Sequence, residues 1–364
     1  MAYTKAEELK ASLGLQDAEV AQLDQVTERF PMLISDYYLS LIDWNDPEDP
    51  IRKMAVPAIE ELQHGGSFDT SGEAQNTLIS GLQHKYRETA LILTTDQCAM
   101  YCRHCFRKRL VGLSSQEVAK HWNEIFGYIR THQEISNVIL SGGDALVNRN
   151  ADIQRYLDEL SGMEHIDLIR IATRTPVTLP ARISEDAELL GILAHYGKSK
   201  QIYVITQFNH PNEVTDASRA AVSALTAAGC IVRNQMVLLR GINDDAATIT
   251  ALFRCLTQMG CTPYYVFQCR PVTGIKNHFQ VPLRKGLAII EAAKARQNGL
   301  AKAFKYCMSH PAGKLEILGM DAREHMLFKF HEAKNPDHCG RLMAVALPEH
   351  AGWLPDALDA WISA

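Results

Sequence analysis

Three cysteines stand close together in Cys98-Ala-Met-Tyr-Cys102-Arg-His-Cys105, a C-x3-C-x2-C spacing. Three thiolates on one compact loop can hold three irons of a [4Fe–4S] cluster and leave the fourth iron open to a chelating ligand. Structural zinc usually takes two separated pairs of ligands, and no second tight pair follows here. Ferredoxin-type runs carry a fourth Cys. Nine cysteines, an odd number in a long chain, do not read as a disulfide framework.

Further residues with chemical potential follow the cysteines. Arg103, Arg107, Lys108 and Arg109 crowd the same loop, and Arg is suited to a bidentate grip on a carboxylate. Phe106, next to the third thiol, offers an apolar face to a cofactor ring or to the core. In Ser141-Gly142-Gly143-Asp144 two glycines allow close backbone approach and the carboxylate can accept from an ammonium. Arg174, Gln207, Asn234 and Gln235 fall within or just after later strand-like runs. Lys314, after His310-Pro-Ala-Gly, could carry a Schiff base, although most lysines are simply solvated.

A regular alternation positions these residues. Strand-like runs at 90–94, 137–140, 168–172, 201–206, 231–238 and 263–267 alternate with helical patterns at 116–132, 153–161, 187–195, 217–228 and 246–259. Six β–α repeats imply a parallel sheet with helical crossovers, curled as an incomplete (β/α)6 barrel. Its site belongs at the C-terminal ends of the strands. An open dinucleotide-binding sheet is disfavoured, because no G-x-G-x-x-G follows the first strand. Residues 1–88 read as a helical region, 89–270 as the barrel core, and 271–364 as a C-terminal segment carrying Lys314. That segment reads as a helix over 283–297 and short runs at 303–308, 315–318 and 326–330. The stretch from about residue 340 reads as peripheral.

The chain has 364 residues, 46% hydrophobic, with net charge −5 and pI near 6.3. There is no basic footprint for nucleic acid. No apolar run approaches the ~20 residues of a membrane span. The N-terminus lacks a signal-peptide core, which reads as a reducing, cytoplasmic setting.

These motifs, taken together, resemble the lysine 2,3-aminomutase family of radical S-adenosylmethionine (SAM) enzymes. The resemblance runs from about Ser35 to Lys314. It includes Thr95-Asp-Gln-Cys-Ala-Met-Tyr-Cys-Arg-His-Cys105, Leu140-Ser-Gly-Gly-Asp-Ala-Leu146, Arg174-Thr-Pro176, Phe208-Asn-His-Pro-Asn-Glu213, Asn234-Gln235 and Leu238-Leu-Arg-Gly-Ile-Asn-Asp244. It implies an isomerase of the radical SAM fold that uses a [4Fe–4S] cluster, SAM and pyridoxal 5′-phosphate (PLP). Cys98, Cys102 and Cys105 would be the cluster ligands, Arg107 the reader of the substrate carboxylate and Lys314 the PLP lysine. The Ser141–Asp144 segment would meet the methionyl amine of SAM. In such enzymes a 5′-deoxyadenosyl radical takes hydrogen from the β-carbon of an amino acid, and the amino group migrates from C2 to C3. An external electron donor and a dimeric or tetrameric state are implied with it.

The departures bear on substrate. Lysine-specific members grip the distal ammonium with two Asp, and Arg270 and Cys307 occupy those positions here. One positive and one neutral group favour an anionic side chain, glutamate being the simplest. Alternatives are a radical SAM enzyme on this scaffold without PLP, and an aminomutase acting on a protein lysine or lysyl adduct. The approach to Lys314 has one Gly where the family has several. A family Arg before the cluster strand is Thr89, with Arg87 nearby.

Overall fold

The apolar runs become strands of one continuous sheet in the computed structural model, which describes residues 2–113 and 115–358. Its twelve strands lie in strict chain order. They are β1 (Thr77–Ile79), β2 (Leu82–Tyr86), β3 (Thr89–Thr95), β4 (Asn137–Gly142), β5 (Leu168–Ala172) and β6 (Gln201–Thr206). The second half comprises β7 (Ile231–Leu238), β8 (Thr262–Gln268), β9 (Lys305–His310), β10 (Gly313–Met320), β11 (Met326–Ala333) and β12 (Leu342–Val345). From β3 to β9 every neighbour pair is parallel. Antiparallel hairpins extend both edges.

Parallel neighbours need crossovers, and six helices supply them. These are α1 (Trp122–Thr131), α2 (Asn150–Ser161), α3 (Ala187–Tyr196), α4 (Asp216–Ala227), α5 (Ala246–Gln258) and α6 (Leu283–Lys294). Each turns an apolar stripe to the sheet. In α2 the buried positions are Ile153, Tyr156, Leu157 and Leu160, the i, i+3, i+4, i+7 pattern of one helical face. Side-chain caps fix several starts: Asp186 accepts from Leu189 N, Thr215 from Ser218 N, and Asp245 from Ala247 N and Thr248 N.

The sheet is curled. Lys85 on β2 reaches across to donate to His310 O at the end of β9, at 2.6 Å. The concave face carries Leu91, Ile139, Ala172, Ile205, Val237 and Phe267, alternate residues of six successive strands, and these line one cavity of about 350 Å³. This is the expected incomplete barrel of the radical SAM type, with one more parallel strand than the six repeats implied.

Three local expectations change. Within 1–88, residues 77–86 form the β1–β2 hairpin rather than helix; Leu-Gln-His-Lys-Tyr is too polar and short to show a strand period. The helix expected from 116 starts at Trp122. Ala119 N–H is held by Leu93 O, and Ala119 lies flush against Gly81, where a Cβ would come within 2.3 Å. The C-terminal stretch is not peripheral: β12 extends the sheet, Leu354 and Leu358 are buried, and Pro355 O accepts from His310 Nε2 at 3.0 Å. Residues 359–364 lie outside the described residues.

The N-terminal region is bound to the barrel by buried charge. Glu61 is fully buried against Arg103, at 2.7 Å, and Lys108. Burial alone would raise its carboxyl, but the two cations outweigh burial and hold it below the usual range. A depressed carboxyl contributes stability above its unfolded pKa and loses it as pH falls through the folded value. Glu61→Gln leaves two buried cations uncompensated and is expected to cost about 3–5 kcal/mol near pH 7. Denaturant unfolding should show the wild-type advantage steady from pH 7 to about 5 and shrinking as pH falls below the ordinary glutamate pKa of about 4.3.

Candidate active site

The cavity opens where the parallel strands end, so the loops after β3, β4, β5 and β6 wall it. Cys98, Cys102 and Cys105 all line it. Burial pushes the Cys98 thiol well up and the Cys105 thiol to about 11, a cost that a cationic iron core would reverse. Among the described residues no three His, Cys, Asp or Glu side chains converge on a single ion. Three thiols on one wall of the cavity are soft donors of the kind that hold an iron–sulfur cluster.

Gly142 and Gly143 serve loop packing. Gly142 has φ +126°, and a Cβ there would lie 2.2 Å from Thr95 O. A Cβ at Gly143 would lie 2.1 Å from Gln97 O. The two glycines bring the β4 loop against the start of the cysteine loop, and Gly143 N donates to Thr95 O at 2.6 Å. The Asp144 carboxylate is spent inside the protein: Thr173 Oγ1 at 2.5 Å, Arg174 N at 2.6 Å and Leu146 N at 3.0 Å donate to it.

Arg174 grips a cysteine. Its Nη1 donates to Cys102 Sγ at 2.8 Å, its Nε to Gln207 O at 3.1 Å, and its Nη2 to Tyr38 Oη at 3.2 Å and to Glu213. Gln207 and Asn209 amides both approach His104 Nε2, at 3.0 and 3.2 Å. That nitrogen accepts, so the proton of the neutral ring is on Nδ1. Nδ1 is buried without a hydrogen-bond partner among the described residues, and burial holds the ring's pKa well below its ordinary value. Gln235 lines the cavity. Asn234 does not: it is fully buried and brackets the Phe208 backbone, accepting from N at 2.7 Å and donating to O at 3.1 Å.

Lys314 enters the opposite wall. The turn Pro311-Ala312 joins β9 to β10, pairing His310 with Gly313 and Ser309 with Lys314. Its ammonium meets Glu332 of β11 and lies over the Tyr265 ring, 4.8 Å from the centroid, and the Tyr86 ring, at 5.7 Å. Gly313 is required there, since a Cβ would come within 2.3 Å of Glu332 O. One glycine therefore suffices for this hairpin. Beside it, Lys85 Nζ donates to Ser71 O at 3.0 Å and to His310 O. Burial and the neighbouring Arg270 and Lys334 charges pull Lys85 down to about 7. Arg87 is exposed and does not line the cavity; Thr89 does.

Arg107 and Arg270 reach the cavity from different loops, and both guanidiniums lie against the Phe106 ring, 4.7 and 4.2 Å from its centroid. Arg107 Nη1 donates to Ser141 Oγ at 2.9 Å and Gly142 O at 3.2 Å. Arg270 Nη1 donates to Ser71 Oγ at 2.8 Å, and among the described residues no carboxylate bonds it directly. Cys307 is fully buried and outside the cavity lining, with burial raising its thiol to about 12.

Sequence reasoning missed Glu73, Ser71, Lys85, Tyr86 and Glu332. The first two belong to a turn organised by Asp69, whose carboxylate accepts from Ser71 N, Glu73 N and Ala74 N. An Asp-x-Ser-Gly-Glu turn is ordinary surface chemistry in a sequence, and only folding turns it inward. Lys85 carried no better signal, since its strand is too polar and short to show an inward face.

Residues 92–253 match the family model for the radical SAM superfamily. A protein of Aquifex aeolicus, provisionally named an L-lysine 2,3-aminomutase, is 39% identical over 96% of this chain and 93% of its own. The L-lysine 2,3-aminomutase of Clostridium subterminale is 38% identical over 80% of this chain and 70% of its own. This chain belongs to the lysine 2,3-aminomutase family of radical SAM enzymes. Membership makes it an isomerase and implies SAM and a [4Fe–4S] cluster. The glutamate 2,3-aminomutase of Clostridioides difficile is 36% identical over 85% of this aminomutase-family chain and 72% of its own. Among the described residues no helix is long and apolar enough to cross a membrane.

Lys85 is expected to titrate near pH 7 in the ligand-free protein. Competitive acetylation followed by peptide mass analysis measures this, and added inorganic phosphate should raise the midpoint. A midpoint near 10 would show that burial does not govern this amine.

Proposed function

We propose that this chain is a PLP-dependent 2,3-aminomutase whose substrate is a carboxylate-bearing amino acid, L-glutamate first among candidates. One observation carries the reading: a single cavity brings together three thiols, a lysine at a hairpin tip, and two arginines from separate loops. Cys98, Cys102 and Cys105 would hold the cluster, with Arg174 orienting the Cys102 sulfur. The unpartnered Nδ1–H of His104 is a donor suited to an adenine ring nitrogen of SAM. Lys314 would hold PLP, and Lys85, a partly buried amine among cations, fits its phosphate. When bound, the cluster with SAM supplies a carbon radical, and PLP supplies an electron sink.

The chain's own residues do the rest. Glu332 holds the Lys314 ammonium and is placed to take its proton when the amine reacts. Tyr86 and Tyr265 shield that amine from water. Arg107 would take the α-carboxylate. Among the described residues no carboxylate bonds Arg270 directly, so its guanidinium can meet a distal carboxylate and would repel the ammonium of lysine. Fixing both ends of the substrate places one β-carbon toward the cluster side of the cavity, the positioning a radical reaction requires.

Borohydride reduction of anaerobically purified, PLP-supplemented protein is expected to leave a pyridoxyl adduct on Lys314. No adduct on a protein with an intact cluster would sink the PLP mechanism. Arg270→Asp should lower kcat/KM for glutamate by at least roughly a hundredfold, the scale of losing a buried charge pair. Unchanged turnover would remove Arg270 from substrate reading.

A further inference from the structure

The donors of Arg107 are not evenly used. A guanidinium has five N–H groups. Nη1 is committed twice, to Ser141 Oγ and Gly142 O. Nε reaches Glu73 Oε1 at 3.3 Å, and Nη2 donates to no group among the described residues. A carboxylate docks on arginine along either of two edges, Nη1–Nη2 or Nε–Nη2. The first is closed by the double commitment of Nη1. The second is half open, with Glu73 resting on its Nε corner.

Glu73 is held firmly elsewhere. Its other oxygen lies 2.7 Å from Arg109 Nη2. Glu73 lines the cavity, is 9% exposed at its side chain, and feels Arg107, Arg270 and Arg109 together, which outweigh burial and keep its carboxyl below the usual range. The turn that carries it covers the other cations too: Ser71 O accepts from Lys85 and Ser71 Oγ from Arg270. The strap itself is anchored. Ser67 N donates to Pro271 O at 3.0 Å, and a Cβ at Gly66 would lie 2.4 Å from that same oxygen. Without Glu73, Arg107 and Arg270 would line the cavity with too little counter-charge.

We infer that Glu73 is a resident placeholder on the Nε corner of Arg107, and that a ligand carboxylate binds by displacing it onto Arg109. This rests on the reading of Arg107 as the carboxylate reader. Binding is then an exchange of one carboxylate for another, and a ligand without a carboxylate cannot drive it. The strap's anchoring confines the movement to the Glu73 side chain.

Isothermal titration of anaerobically reconstituted holoenzyme with L-glutamate, L-aspartate, L-lysine and L-alanine tests this. Glu73→Gln keeps the side chain's size and removes the competing charge, and should tighten the best binder about five- to twentyfold. Glu73→Asp, too short to reach Nε while still near Arg109, should tighten it by a smaller factor and guards against misfolding of the Gln variant. Unchanged or weaker binding in both variants overturns the placeholder. Arg107→Gln is measured in parallel. If it binds as wild type does, or if none of the four amino acids binds any variant, the carboxylate-reader assignment fails and the placeholder with it. Loss of binding in Arg107→Gln without tightening in the Glu73 variants overturns the placeholder alone.

Discussion

Cations buried at the mouth of a half-closed sheet must find anions, and most of this molecule's architecture answers that demand. The cysteine loop carries Arg103, Arg107 and Lys108, all nearly inaccessible to solvent. Glu61 meets Arg103 and Lys108, Glu73 meets Arg107 and Arg109, and Glu213 meets Arg174. Two of those carboxylates come from the N-terminal region. The region before the first strand is therefore more than a wrapping: it supplies the counter-charge that lets a cationic loop lie inside the protein.

The same constraint organises the site. The cavity-lining cations Lys85, Arg107 and Arg270 are held by hydroxyls, carbonyls and one carboxylate of the protein itself. Such groups keep each guanidinium oriented at little cost and are weaker partners than a phosphate or a substrate carboxylate. Arg174 shows the complementary arrangement. It ties Cys102, Glu213, Tyr38 and the Gln207 backbone into one knot, so the cysteine loop is held from the barrel before any metal arrives. Preorganisation of this kind suits a radical reaction, in which misplacing the reacting carbon opens side reactions.

Loop-to-loop contact governs the glycines as well. Ser141-Gly-Gly-Asp144 reads as a ligand-binding turn, yet its two glycines bring the β4 loop onto Thr95 and Gln97, and Asp144 secures Thr173 and Arg174. All four residues also line the cavity, so the segment is a brace and a cavity wall at once. Asn234 likewise braces Phe208. These residues sit at strand ends, where sequence reasoning expects ligand contacts, but a barrel mouth needs braces as much as ligands.

The alternation of apolar runs and amphipathic helices was enough to establish the parallel core, with the bounds of β5, β6 and β7 read to the residue, because side chains turned to the core recur at every second position of a strand. The cysteine spacing named the chemistry, since three thiols so close together have few other uses. The β1–β2 hairpin, the packed C-terminal stretch and the inward turn of Asp69–Glu73 were decided only by the tertiary structure. Their residues are polar or short-period, and polar side chains look alike in sequence whether they face water or a cavity. What separates Glu73 and Lys85 from ordinary surface charges is their company, Arg107 for the one and the end of β9 for the other, brought to them by the curl of the sheet.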